Sequence, residues 1–410
     1  MHMNKNEKTA FVLKLRFPEF CTTGEWKTCT LSELASRITT RNQDNLVKRV
    51  LTNSAIDGVV DQSDYFDKEI ANQNNLENYF VIDEGDYVYN PRISATAPVG
   101  PISKNKVGKG VMSPLYTVFR FENPNNDFYE QYFRTNLWHS YLKNVSNTGA
   151  RHDRMSISND SFMKMPLPYH SEREQQKIAV CLSALDDLIT AENNKIEALR
   201  AHKKGLMQKL FPAEGQTVPE WRFPEFWDSR EWVISPLSEI CENLDSRRIP
   251  ITEKDRKKGF TPYYGASGIV DYVDGFIFDE VLLCVSEDGA NLVARTHPIA
   301  FSISGKAWVN NHAHVLKFQN SNTQVMVENY INSINLEDFL TGMAQPKLNR
   351  AKLDIIPIPL PKEKEQQKIA DCLSSIDDLI TEQAKKIEAL RTHKKGLMQG
   401  LFPSIEEVCE

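Results

Sequence analysis

The sequence predicts an α+β protein built by tandem duplication, in which an α/β globule followed by one long helix occurs twice. Three observations predict this. Residues 174 to 212, EQQKIAVCLSALDDLITAENNKIEALRAHKKGLMQKLFP, return at residues 365 to 403 with 30 of 39 positions identical. A shorter echo precedes each copy, RFPEF ending at Phe20 with Trp26 and LSEL from Leu31, then RFPEF ending at Phe226 with Trp232 and LSEI from Leu237. The segments between echo and helix are unlike each other, and both mix short apolar runs with turn residues. The echoes are offset by 206 residues and the helices by 191, so the halves differ mainly in these intervening segments.

Taken in order, residues 1–170 form the first globule, 171–212 the first long helix, 213–361 the second globule, and 362–410 the second helix with a tail. In the first globule, Tyr79 to Tyr89 reads as two short strands around Glu84 and Gly85, and Leu115 to Phe121 as another. In the second, Gly275 to Val285 reads the same way, with further strands at Ala300 to Ile303 and His314 to Phe318. A proline-punctuated strand closes each globule, MPLP from Met165 and IPIPLP from Ile356.

Each long helix is written in its apolar spacing. From Ile178 the apolar positions step by four and three through Leu182, Leu185, Ile189, Ile196, Leu199, Leu206 and Leu210, broken at Glu192 and Lys203. The second copy runs from Ile369 to Leu401 with breaks at the matching Gln383 and Lys394. This is a coiled-coil seam, and matched polar breaks predict that the two helices pair with each other. Ser171 with Glu174 predicts a capping box at the first start, and Phe211-Pro212 and Phe402-Pro403 stop the helices, each about 60 Å long. A compact chain can pair them antiparallel, with approximate two-fold symmetry between the halves; parallel packing is the alternative and is harder to connect.

Seam packing does not account for the preserved positions that the spacing turns outward. Gln175, Gln176, Asp186, Asp187, His202, Lys204, Gly205, Met207 and Gln208 recur as Gln366, Gln367, Asp377, Asp378, His393, Lys395, Gly396, Met398 and Gln399. Solvated faces drift apart after duplication, so two equivalent surfaces for a shared partner are expected. The glycines sharpen the point, because a mid-helix glycine costs about 1 kcal/mol relative to alanine and marks close approach or a bend.

Composition sets outer limits. Forty per cent hydrophobic and 25% charged residues describe an ordinary globular chain, with no apolar run long enough to span a bilayer and a polar start unlike a signal peptide. A cytoplasmic protein without membrane contact is expected. Seven cysteines without a CxxC pair predict reduced thiols. The net charge of −6 gives no general attraction to nucleic acid, so any DNA-contacting face must be basic locally.

The order of a variable globule, a PLP strand, EQQKIAxxLSxxDDLI and HKKGLMQxLFP, repeated once, resembles the DNA-specificity subunit (S subunit) of type I restriction–modification systems across essentially the whole chain. The second globule adds YYGASGIVDYVDGFIFDEVLLCVSEDGANL from Tyr263, NNHAHVLKF from Asn310 and TGMAQPKLNR from Thr341, which are similar to that family's target-recognition domains. NTGARHDRMSI from Asn147 has the corresponding shape without the QPKLN wording. The resemblance implies a non-catalytic subunit that reads a split double-stranded DNA target, one half-site per recognition domain. It implies two methyltransferase (modification) subunits docked on the helices and restriction/translocase subunits in the larger complex. S-adenosylmethionine, ATP and magnesium are then expected on those partners, with no cofactor in this chain.

The residues agree that catalysis is absent. No Asn/Asp-Pro-Pro-aromatic motif occurs, the closest strings being Thr261-Pro262-Tyr263-Tyr264 and Asn90-Pro91-Arg92. Gly305-Lys306 is followed by Ala307 and lacks the first glycine of a phosphate loop. His312 and His314 lie two apart without neighbouring cysteines or paired carboxylates in the sequence, and ordinary strand histidines explain them better than a metal site.

Base reading calls for Arg or Lys for guanine, Asn or Gln for adenine, and hydroxyls as adaptable partners. In the second globule the family-like stretches supply Tyr264, Ser267, Asn291, Lys306, Gln345, Lys347 and Asn349; in the first, Arg92, Lys104, Lys106, Arg151, His152 and Arg154 are basic residues in turn-rich stretches. Any one of these could equally be a solvated surface residue. The partner surface is assigned to Gln175, Gln176, His202, Lys204, Gly205 and Met207, with Gln366, Gln367, His393, Lys395, Gly396 and Met398 in the second copy. A coiled-coil adaptor that binds only protein is the alternative, and footprinting an assembled complex separates the two; a stand-alone methyltransferase or nuclease is opposed by the missing motifs.

Overall fold

The computed structural model describes residues 11–65, 76–146, 153–342 and 345–405. The chain divides into two compact units, Met1–Thr190 with Glu388–Glu410, and Ala191–Ile387. Each long helix, Glu172–Leu210 and Glu363–Leu401, contributes one part to each unit.

In the first unit two four-stranded sheets form the globule. One has the order Ala35–Arg37, Thr117–Phe121, Tyr87–Tyr89, Ile102–Lys104, all antiparallel. The other has the order Gly58–Asp61, Val50–Ser54, Gly110–Met112, Phe80–Ile82, with one parallel pair between Val50–Ser54 and Gly110–Met112. The two strands expected around Glu84 and Gly85 therefore exist but join different sheets. Tyr87 and Phe119 stack at 5.5 Å between ring centres, and the helix Asp127–Phe133 lays Phe128, Tyr129, Tyr132 and Phe133 into the same core. Ile178, Ala179 and Leu182 of the first long helix and Leu401 and Phe402 of the second complete it.

The second unit repeats the plan strand for strand. Its sheets run Glu242–Asn243, Ala313–Lys317, Leu282–Ser286, Ala300–Ile303 and Gly268–Val273, Lys258–Gly265, Lys306–Val309, Phe278–Asp279, again with one parallel pair. In both units the proline-punctuated strand pairs with the strand before the echoed LSE turn, Pro166–Tyr169 with Lys27–Thr30 and Pro357–Leu360 with Val233–Pro236. Two segments with little common wording thus share one topology.

Both seams are buried or half-buried along their length. The polar breaks meet partners across the helix pair. In the second unit Glu192 accepts from Gln383 and pairs with Lys386, and Lys203 reaches Asp377 at 2.7 Å. In the first unit the matching lysine, Lys394, reaches Asp186 at 2.5 Å. Within the second unit the partner number falls from 383 to 377 as the first helix advances from 192 to 203, so the pairing is antiparallel.

The echoes anchor the helix starts. Arg16 grips Glu174 with two hydrogen bonds of 2.8 Å, and Arg222 grips Glu365 at 2.6 and 2.7 Å. Lys177 pairs with Glu19 and lies over Phe17; Lys368 pairs with Glu225 and lies over Phe223. This corrects the expected capping box at Ser171: the Glu174 carboxylate is engaged by Arg16 and by His170 at 2.8 Å. A buried carboxylate gains more from a bidentate guanidinium than from one helix-start amide.

Candidate nucleic-acid interface and helical surface

In the second globule three loops are stitched together behind the sheet ends. The Ser286 hydroxyl donates to the carbonyl of Ala266 in the hairpin turn that carries exposed Ser267. The next residues clasp the closing loop, with Leu348 N donating to Glu287 O at 2.8 Å and Gly289 N to Pro346 O at 3.2 Å. Asp288 and Thr341 both form bridges with Lys347. Ser267, Asn291, exposed Gln345 and exposed Lys347 consequently belong to one hydrogen-bonded cluster of loops.

Beneath it lies a polar network. His314, 1% exposed, places Nδ1 2.6 Å from Asp245 and Nε2 2.7 Å from the Leu348 carbonyl. Arg248 reaches Glu287 at 2.6 Å, and Lys347 reaches the same carboxylate at 3.0 Å. Burial pushes the Asp245 carboxyl up, but the hydrogen bond and charge of His314, together with Val315 N and Arg248, hold it below its ordinary value. Burial likewise opposes, and Arg248 and Lys347 outweigh, the same shift at Glu287. The sequence reading that His314 lacks carboxylate neighbours is thereby corrected: Asp245, Glu287 and His314 have ligand atoms within 4.8 Å of one another, brought together by folding. All three are engaged by protein partners, and their evident effect is to fix the backbone of the closing loop.

Other candidates have internal roles. Asn349 caps the helix Arg350–Asp354, its side-chain oxygen accepting from Lys352 N at 3.0 Å. The Asn291 amide braces its own loop against His297. Tyr264 is half-buried near Phe301, and the Lys306 ammonium lies 4.8 Å from the Phe276 ring centre.

The first globule carries the equivalent closing loop. Arg92 and Arg154 form a bridge at the place that Asp288 and Lys347 occupy in the second, flanked by Ile93 N to Asp153 O at 3.0 Å and Met155 N to Pro91 O at 2.9 Å. Arg151 and His152 lie outside the described residues. Lys104 and Lys106 are drawn away to the helix Asp127–Phe133, pairing with Asp127 at 2.6 Å and Glu130 at 2.7 Å. Phe260, outside the sequence candidates, is 99% exposed in the strand Lys258–Gly265 beside Lys257 and Lys258. The signal was an aromatic one glycine beyond the basic run Arg256 to Lys258.

On the helices the outward-facing set separates. Gln175, Gln366 and Met207 are buried, which corrects their expected exposure. Gln175 donates to the Tyr129 hydroxyl at 3.1 Å; Gln366 accepts from Thr323 at 2.7 Å and donates to Pro361 O at 2.8 Å. Met398 is half-buried against the first core. Gln176, His202 and Lys204, with Gln367, His393 and Lys395, are exposed, and Leu188 and Leu379 are equivalent leucines 40% and 51% exposed. A Cβ on Gly205 or Gly396 would meet nothing within 4 Å, so neither glycine answers to close packing inside this chain.

Residues 229–391 match the type I restriction modification DNA specificity domain. A type I restriction enzyme specificity subunit of Haemophilus influenzae is 34% identical over 152 residues, which is 37% of this chain and 38% of that protein's own length. The MjaVIII specificity subunit of Methanocaldococcus jannaschii is 27% identical over 329 residues, covering 72% of this chain and 74% of that one. The fold is shared with the type I system S subunit from M. genitalium, at TM-score 0.62 and 14% identity over 96% of this chain and 100% of the other. It is also shared with a chain solved in work on complex assembly and conformational transition of the type I system, at TM-score 0.54 and 15% identity over 92% and 97%. Residues 229–391 thus carry a match to the type I restriction modification DNA specificity domain, most of the chain is similar to a type I specificity subunit, and its fold is that of solved S subunits.

Proposed function

We propose that this chain is the non-catalytic DNA-reading subunit of a type I restriction–modification complex, each globule reading one half of a bipartite target. One observation carries the reading: the same sheet frame closes with the same bridged loop in both units, yet the bridge is Arg92 with Arg154 in one and Asp288 with Lys347 in the other. A common frame with different donors and acceptors suits two different half-sites.

The helical copies support the second part of the proposal, a scaffold for two methyltransferase subunits and, through the assembled complex, for restriction subunits. Exposed residues such as Gln176, His202 and Lys204 recur in the second copy, and a Cβ on Gly205 or Gly396 would meet nothing within 4 Å among the described residues. S-adenosylmethionine, ATP and magnesium would then act on the partner subunits. The test is to replace residues 40 to 160 with the same segment of a relative and map methylated adenines in a genome carrying the hybrid and its partner subunit. One half of the methylated sequence should change while the other half and the spacing stay fixed; a change in both halves refutes independent reading.

A further inference from the structure

The first unit contains a groove of about 840 Å³ where its globule meets the helix pair. Its lining includes five cations, Lys14, Arg134, Arg391, Lys394 and Lys395, against one carboxylate, Asp186. Arg134 and Lys394 are engaged by Asp186 at 2.7 and 2.5 Å, while Lys14, Arg391 and Lys395 are exposed. Leu137, Ile189, Met398 and Phe402 give the groove apolar walls.

The second unit reproduces the helical residues and not the others. Arg200, Lys203 and Lys204 correspond to the three helical cations, and Asp377 to Asp186. Lys14 is replaced by Glu220, whose carboxylate lies 3.7 Å from Lys209. Arg134 is replaced by Asn332, as the matching burial of Phe128, Tyr129, Tyr132 and Phe133 with Met326, Val327, Tyr330 and Ile331 indicates. The Asn332 amide is bonded to the backbone of Ile299 and Ala300. Duplication thus preserved the helical side of the groove while the globular side diverged in charge.

We propose that the first-unit groove receives an acidic, amphipathic segment of the docked methyltransferase subunit, held more strongly there than at the equivalent surface of the second unit. The proposal rests on the partner reading above and adds the chemistry of the contact. Cations over apolar walls match a peptide that offers both carboxylates and apolar side chains; a DNA backbone would use the charge and leave the walls without a partner. The surplus cations make association at this site the more salt-sensitive of the two.

The test titrates purified methyltransferase subunit into the full chain at low and high salt, with calorimetry and native mass measurement counting both binding steps. One step should weaken by about tenfold between 50 and 300 mM salt and the other by about threefold or less, as expected for unequal local charge. Lys14→Glu should flatten the steep step, and Glu220→Lys should steepen the shallow one; both positions are exposed, and unchanged thermal transitions would confirm folding. Two copies binding with equal salt slopes that neither substitution alters would overturn the groove while leaving the scaffold reading standing. Failure of the subunit to bind at all would remove both. If Lys14→Glu altered only the salt dependence of DNA binding, the groove would be a phosphate contact and the peptide reading would be wrong.

Discussion

Replacing Arg222 by methionine should destabilise the second unit by about 3–5 kcal/mol, the cost of stranding one partner of a buried ion pair. The Arg222 side chain is 8% exposed and that of Glu365 2%, and the guanidinium donates four hydrogen bonds, two to Glu365 and one each to the carbonyls of Ser229 and Arg230 at 3.0 Å. Without it, Glu365 is left in the helix's first turn with no cation and little water. The matching change in the first unit, Arg16→Met, should cost less, about 2–3 kcal/mol, because His170 still faces Glu174 at 2.8 Å and Arg16 is 17% exposed. Arg222→Met combined with Glu365→Leu should recover most of the loss, since an apolar pair of similar volume is often neutral relative to a buried ion pair. Native-state hydrogen exchange over residues 363–373 is the suitable assay, because two units need not unfold in one step. An Arg222→Met loss below about 1 kcal/mol, or a double variant no more stable than the single, would show that the echo does not anchor the helix.

Further expectations follow from the same geometry. Gly205→Ala and Gly396→Ala should each stabilise the isolated chain by up to about 1 kcal/mol, since a Cβ there meets nothing, yet weaken methyltransferase association; stronger association would remove the glycines from the partner surface. Phe260→Ala should leave the unfolding midpoint unchanged within about 0.5 kcal/mol while weakening DNA binding of the assembled complex, and an unaltered DNA affinity would place that strand away from the duplex. Asp245 and Glu287 are held below their ordinary values, so their contribution is present above the unfolded carboxylate range and is lost as pH falls below about 4. The second unit of Asp245→Asn should therefore be weaker in urea at pH 7 and lose less on going to pH 3 than the parent; parallel losses would contradict the assignment. Gln345→Ala should relax preference at one base position, measured by footprinting competing targets, whereas uniform weakening would make it a backbone contact.

The parts legible in the sequence were those governed by period. Seam positions, helix ends and the strands Ala300–Ile303 and Pro166–Tyr169 follow from local spacing and proline punctuation. Contacts between distant segments were not legible. Glu174 reads locally as a capping partner, and only folding brings Arg16 to it across 158 residues. Gln175 reads as outward because its neighbours are polar, but the globule folds back so that Tyr129 covers it. Asn349 stands out in the sequence as part of the family-like TGMAQPKLNR stretch, and its additional role as cap of Arg350–Asp354 depends on where that short helix begins. The first globule's kinship with the second was concealed because their common feature is strand order, which tolerates wholesale replacement of side chains.

The paired lysines and aspartates of the long helices have an implication for how such a chain can change. Lys203 meets Asp377 and Lys394 meets Asp186. Position 186 precedes 203 by the same seventeen residues that separate 377 from 394. In an antiparallel arrangement both bonds can close only while those two intervals are equal. A heptad inserted into one copy alone would sacrifice one bond and offset part of the seam, whereas the same insertion in both would restore each. Length in one helix is therefore coupled to length in the other: a matched edit keeps both ion pairs, and a one-sided edit gives one of them up.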